Sequence, residues 1–176
     1  MAALAASSLT PFVAGGPAFA DNQFAVVGNW SVTQHDSGTC SLKTTFDRGT
    51  SVFVSRSVKS GQWVFIIANP KWTNLQKGKE YTVRLIMDGS DKWEGSFRAD
   101  RYGDDGVLIF DNISENFLVG LMKRWRVDIH DGNGKLVTSL PLDNSFAAMV
   151  ELVKCQAANG GGGGNSRPQN RDEHWS

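Results

Sequence analysis

Trp63-Val64-Phe65-Ile66-Ile67-Ala68, stopped by Asn69-Pro70, is the longest unbroken apolar run after residue 20. Its brevity, its aromatic and β-branched content and its proline stop read as a strand covered on both faces. Downstream, Tyr81-Thr82-Val83-Arg84-Leu85-Ile86-Met87 alternates, with Asp88-Gly89 as its turn. Tyr81, Val83, Leu85 and Met87 share one face; Thr82 and Arg84 take the other. The two segments are read as the central pair of an all-β core.

The same pattern extends both ways. Upstream, 24–33 reads as one strand with Trp30 and Val32 on one side. Cys40, Leu42, Thr44 and Phe46 alternate through a second strand, and 51–55 forms a third. Downstream, 92–98, 107–110, 125–130 and 135–140 are short strands separated by Gly/Asp/Ser turns, with Trp125, Val127 and Ile129 inward. Asp131-Gly132-Asn133-Gly134 is a hairpin signal of the type I′ kind. The apolar period changes in two places. Phe117, Leu118, Leu121 and Met122 recur at helical spacing, with Ser114 or Asn112 as cap. Phe146, Met149, Val150 and Val153 form the expected buried stripe of a last helix, opened by Asp143 or Asn144. The expected fold is mainly β: an antiparallel β-sandwich or barrel of about nine strands, with two packed helices at about 114–123 and 145–156.

Residues 1–20 contain no charged side chain, and Ala18-Phe19-Ala20 precedes Asp21. Small residues at minus three and minus one predict a secretory signal peptide cleaved after Ala20, although no basic segment opens it. Residues 21–157 are read as one β-sandwich domain. From 158 to 176 the chain holds a glycine run, Gly160 to Gly164, and polar residues. That composition predicts a disordered tail. No apolar stretch is long enough for a transmembrane helix.

The chain has 18 Lys+Arg and 18 Asp+Glu, a formal net charge of zero. This argues against a nucleic-acid binder, whose affinity comes largely from phosphate neutralisation, and against electrostatic docking on anionic membranes. The two cysteines, Cys40 and Cys155, have no metal-ligand spacing. In an exported chain they are most simply a disulfide.

No nucleophile elbow, phosphate loop or dinucleotide fingerprint is present, so no cofactor is expected. The segment from Asp128 to Asn133 resembles a calcium loop only superficially, since no glutamate stands at its twelfth position. Of the three histidines, His35 and His130 flank turns and would serve a hydrolase only if the fold brought their two loops together. The remaining candidate is the loop 70–80. Lys71, Trp72, Lys77 and Lys79 make it basic and aromatic, and it follows the most buried strand, where binding loops are commonly rooted. It suits a protein, glycan or peptidoglycan-fragment partner. The competing reading folds Trp72 and Leu75 inward as a lid.

Gly28-Asn29-Trp30-Ser31-Val32, Gly38-Thr39-Cys40-Ser41-Leu42 and the stretch from Leu140 to Met149 resemble the invasion-associated locus B family of small exported alphaproteobacterial proteins. The resemblance spreads over residues 24–157 and is concentrated in those three places, none of them a catalytic motif. It implies an exported β-sandwich with a helix packed on it and transfers no functional residue. The cysteine near the end of the last helix and the glycine tail depart from the family pattern. The expected function is a non-enzymatic, exported binding or interaction module. The alternatives are an exported inhibitor of a hydrolase and a hydrolase using the His35/His130 end.

Overall fold

The computed structural model describes residues 22–57 and 60–159, so the expected leader and nearly all of the expected tail lie outside the described residues. Ten strands form one antiparallel sheet. They are β1 (Asn22–Val27), β2 (Trp30–Gln34), β3 (Cys40–Thr45), β4 (Ser51–Arg56), β5 (Trp63–Asn69), β6 (Glu80–Met87), β7 (Asp91–Tyr102), β8 (Asp105–Ile113), β9 (Arg126–Asp131) and β10 (Leu136–Pro141). Two helices, α1 (Glu115–Met122) and α2 (Ser145–Ala158), complete it. The mainly antiparallel β class and both helices agree with the sequence reading. The strand count rises because 24–33 is two strands. Gly28, at φ 58°, and Asn29 turn the chain tightly, so Val27 pairs with Trp30.

The spatial order is β1-β2-β3-β4-β5-β8-β7-β6-β9-β10. The first five strands meander. β5 then pairs with β8, so β5 and β6, read as a central pair, are separated by β8 and β7. Turn chemistry explains this. Asp88 and Gly89, at φ 50° and 79°, supply the positive-φ pair of a tight hairpin between β6 and β7. Gly103, at φ 58°, turns β7 into β8. These turns tie β6, β7 and β8 into a local meander, which joins β5 through its last strand. Two crossovers result. The loop 70–79 carries the chain past β8 and β7, and the α1 segment carries it back past β7 and β6.

The sheet is not closed; β1 and β10 are its ends. It is sandwich-like, because inward residues of both halves feed one core. Val32, Leu42, Val54, Phe65 and Phe110 follow one another directly across five strands. In the other half Trp93 packs on Phe110 and on Phe117 of α1, each with ring centroids 4.8 Å apart. Gly95 makes room for this indole: a Cβ there would lie 2.0 Å from the Trp93 ring. Within β5 only the inner face is fully buried; Val64 and Ile66 are half-buried, so the run is not equally covered on both faces.

Ser114 caps α1 as read, accepting from the Phe117 N–H. Helix α2 packs on β1, β2 and β3. Cys155 is bonded to Cys40 of β3 across 115 residues. Ser145 Oγ donates to the Met122 carbonyl at 2.7 Å, and Trp30 Nε1–H donates to the Asp143 carbonyl at 2.9 Å. These ties set the rotation of α2, and the buried face is Ser145, Ala148, Met149, Leu152, Cys155 and Gln156. Of the expected stripe only Met149 is buried; Phe146, Val150 and Val153 are 43%, 39% and 44% exposed. Trp125 is also outside the core, at 61% exposure, because it precedes β9 and escapes the strand alternation.

Candidate functional site

The loop 70–79 begins at Asn69, a buried polar residue that sets its first turn. Asn69 Nδ2 donates to Thr50 Oγ1 at 2.7 Å, its Oδ1 accepts the Lys71 N–H at 2.8 Å, and its carbonyl accepts the Trp72 N–H at 3.1 Å. Where the loop crosses β8, Gly106 admits it. Where it crosses β7, the Arg101 guanidinium donates to the Thr73 carbonyl. Gly78 N–H donates to the Ala99 carbonyl and Ala99 N–H to the Lys79 carbonyl, both at 2.8 Å. The loop is thus laid across the end of the sheet rather than projected from it.

Between this loop and the β9–β10 hairpin lies a cleft of about 590 Å³, within the size range of ligand sites. Trp72, Leu75, Tyr81, Val83, Leu108 and Ile129 supply its apolar lining. Lys71, Lys79, Glu80, His130 and Asp131 stand among its polar residues. Trp72 and Leu75 are half-buried and packed on the core. Trp72 therefore combines the two roles weighed from sequence: it packs inward and also lines the cleft.

Lys71, Trp72 and Lys79 meet here, but Lys77 does not line the cleft. Lys77 Nζ stands 3.1 Å from Asp100 Oδ1 on β7. The Arg101 backbone N–H, then the hydrogen bond from Lys77, hold the Asp100 carboxyl below its ordinary range against a smaller desolvation effect. Lys79 Nζ lies over the Tyr81 ring, 5.4 Å from its centroid, and Tyr81 Oη accepts the Gln76 N–H at 3.1 Å. Among the described residues neither Lys71 nor Lys79 has an ion-pair partner.

His130 lines the cleft, with Nδ1 3.0 Å from the Gly134 carbonyl oxygen. His35 lies at the β2–β3 turn, with Nε2 2.8 Å from Ser41 Oγ. His35 is not among the residues that line the cleft. The β9–β10 hairpin forms, but Asn133 does not take the positive φ of a type I′ turn. Gly134 alone does, at 82°, and Asp131 Oδ1 accepts the Asn133 and Lys135 N–H groups at 2.9 Å each. Among the described residues no group of three or more His, Cys, Asp or Glu is placed to hold a metal ion.

The part of the site that sequence reading missed is its far wall, the β9–β10 hairpin. One signal was available: a connection as long as 70–79 exceeds ordinary hairpin loops and implies a crossover. A second cavity, of about 770 Å³, adjoins the first and shares Lys71, Trp72 and Val137 with it.

No family model, no curated protein and no solved structure matches the chain. No helix among the described residues is long and apolar enough to cross a membrane.

Proposed function

We propose that the chain is an exported, non-enzymatic binding module whose ligand seats in the cleft beneath the loop 70–79. The observation that carries this reading is the convergence of Trp72, Leu75 and Tyr81 with Lys71 and Lys79 on one cavity. An apolar floor beside cationic groups without ion-pair partners suits a ligand with an apolar or ring portion and an acidic group. Export is supported by the Ala18-Phe19-Ala20 pattern, by the resemblance to an exported family and by the Cys40–Cys155 disulfide. The non-enzymatic reading is supported by the placement of His35 at the β2–β3 turn, outside the cleft that His130 lines. It is also supported by the position of Asp100 and Asp128, the carboxyl groups with displaced pKa, outside the cleft. A loop pinned to β7 and β8 favours a cleft binder over an inhibitor acting through a projecting loop.

The test presents defined glycans, peptidoglycan fragments and a peptide library to the mature chain and to Lys71→Glu/Lys79→Glu. A ligand bound by the wild type and lost in the double variant, at unchanged melting temperature, supports the reading. A ligand held equally by both overturns it. Turnover of any bound compound that is lost in His130→Ala would replace it with the hydrolase reading.

A further inference from the structure

We infer that the ligand is an extended peptide segment of a partner protein, added as a further strand along the free edge of β10; the inference rests on the binding reading above and names its ligand class. β10 ends the sheet and pairs with β9 alone. In an antiparallel ladder, alternate residues of an end strand direct N–H and C=O away from their one neighbour. Among the described residues, no backbone hydrogen bond reaches 136–141 from the outer side. Such an edge is a template for another strand. Leu136 and Val137 stand exposed on it; a bulge at Val137 and Pro141 bound the regular edge, which runs over 138–140.

The cavity of about 770 Å³ has the geometry of an edge. Leu136, Val137, Thr138 and Ser139 line it in unbroken succession. Val137 is the extra residue of a bulge, so alternation is lost there; beyond it Thr138 and Ser139 point to opposite faces, and a cavity touched by both runs along the strand's side rather than over one face. The opposite wall includes Asn29, Phe46 and Asp47, outside the strands, with Thr45 at the end of β3 and Asn69 at the end of β5; both of those strands are already paired on each side, so neither completes the β10 ladder. Because Lys71, Trp72 and Val137 line both cavities, the groove continues along β10, past Trp72, into the ligand cleft.

A groove of this form fits a polymer. The unpaired main-chain groups select a peptide over a glycan, since only a polypeptide presents N–H and C=O at the repeat of the ladder. In strand addition the main chain supplies affinity and pockets for alternate side chains supply specificity. Here the pocket is the apolar cleft beside Trp72, and Lys71 and Lys79 favour an acidic residue at that end.

The experiment selects a random heptapeptide library on the full chain and synthesises the best-enriched peptide with a series of single N-methyl variants. Strand addition predicts slowed hydrogen exchange at alternate β10 amides. It also predicts a tenfold or greater loss of affinity for N-methylation at every second position, with little loss between. Val137→Asp should weaken the peptide tenfold at unchanged melting temperature. A peptide that protects the loop 70–79 but not β10, with no alternation among N-methyl variants, overturns strand addition and leaves the cleft reading standing. Failure to select any peptide, while a glycan binds in a Lys71- and Lys79-dependent way, does the same. A dimer in sedimentation whose β10 amides are protected without peptide assigns the edge to a second copy and also overturns the proposal.

Discussion

Gly106 lies directly beneath the backbone of Trp72: a Cβ at Gly106 would sit 2.2 Å from the Trp72 carbonyl oxygen and 2.7 Å from the Trp72 Cβ. The missing side chain on β8 is what lets the crossover loop close on the sheet. Gly106 is buried and paired to Asn69 on one side and Arg101 on the other, so β8 cannot yield easily. Gly106→Ala should therefore lift the loop. Overpacking of this kind costs about 1–3 kcal/mol, a fall of several degrees in melting temperature for a domain of this size. Limited proteolysis within 71–77 should accelerate in the same variant. An unchanged melting temperature with an unchanged cleavage rate would show that the loop is not seated on Gly106.

The Cys40–Cys155 bond closes a loop with a sequence separation of 115. The chain-entropy account assigns such a loop roughly 4–5 kcal/mol of stabilisation. The bond also holds α2 on β3 where Met149 and Leu152 are buried. Reduction, or Cys40→Ser with Cys155→Ser, should lower the melting temperature by on the order of ten degrees. Calorimetry with and without reductant checks this; coincident transitions would remove the bond from the stability of the fold.

Local pattern was legible in the chain, and partner choice was not. Alternation placed Val83, Leu85 and Met87 on one face, and all three are buried. Nothing in that alternation says whether β6 pairs with β5 or with β9, because both arrangements bury the same residues. Rotation of α2 was likewise hidden. Hydrophobicity favours Phe146, Val150 and Val153, but the disulfide and the Ser145 contact turn the smaller face inward. Of the three stretches that stood out as motifs, the first contacts the third, and the second is bonded to α2 beyond the third. Gly28 lies against Asn144, where a Cβ would approach Nδ2 to 2.7 Å; Trp30 donates to Asp143; Cys40 is bonded to Cys155. Of the site, Lys71, Trp72 and Lys79 were readable as a basic aromatic loop, whereas Val137 and the edge of β10 became visible only once the sheet order was known.

Trp93 and Gly95 form a second close pair, partly buried against the core. The indole occupies the space above Gly95 and carries contacts to Phe97, Phe110 and Phe117. Gly95→Val must displace a ring that joins the sheet to α1. Displacement of that cluster should cost at least as much as an ordinary overpacked site, about 1–3 kcal/mol. The near-ultraviolet circular dichroism of the aromatic cluster should fall with it. Gly120→Ala on α1 is the control, since an added Cβ there meets nothing within 4 Å, and a helical Gly→Ala change with room for the methyl is neutral or stabilising. Equal effects at Gly95 and Gly120 would contradict the packing described.

Asp128 links acid stability to the free edge of the sheet. It stands on β9 opposite Ser139 of β10 and receives Arg126 Nε at 2.8 Å and Nη2 at 3.2 Å, together with the Ser139 hydroxyl. Partial burial alone would raise its pKa; the hydrogen bonds from Ser139 and Arg126, with the Arg126 charge, outweigh this and hold it below the ordinary carboxylate value. A folded-state pKa below the unfolded one means that the unfolded chain binds more protons in the acid range. The contribution of Asp128 is thus complete above the unfolded value, about 3.9, and is lost as the pH falls through the lower folded value. Because the Ser139 bond joins β9 to its end strand, acid should loosen β10 before the rest of the sheet. Asp128→Asn should be less stable than wild type at pH 7, and its stability should change less with pH below about 5; the two curves should converge at the acid end. Urea titrations at a series of pH values, with hydrogen exchange at β10, measure both effects. Parallel curves for wild type and variant, or β10 amides that open together with β5 in acid, would remove Asp128 from the acid response.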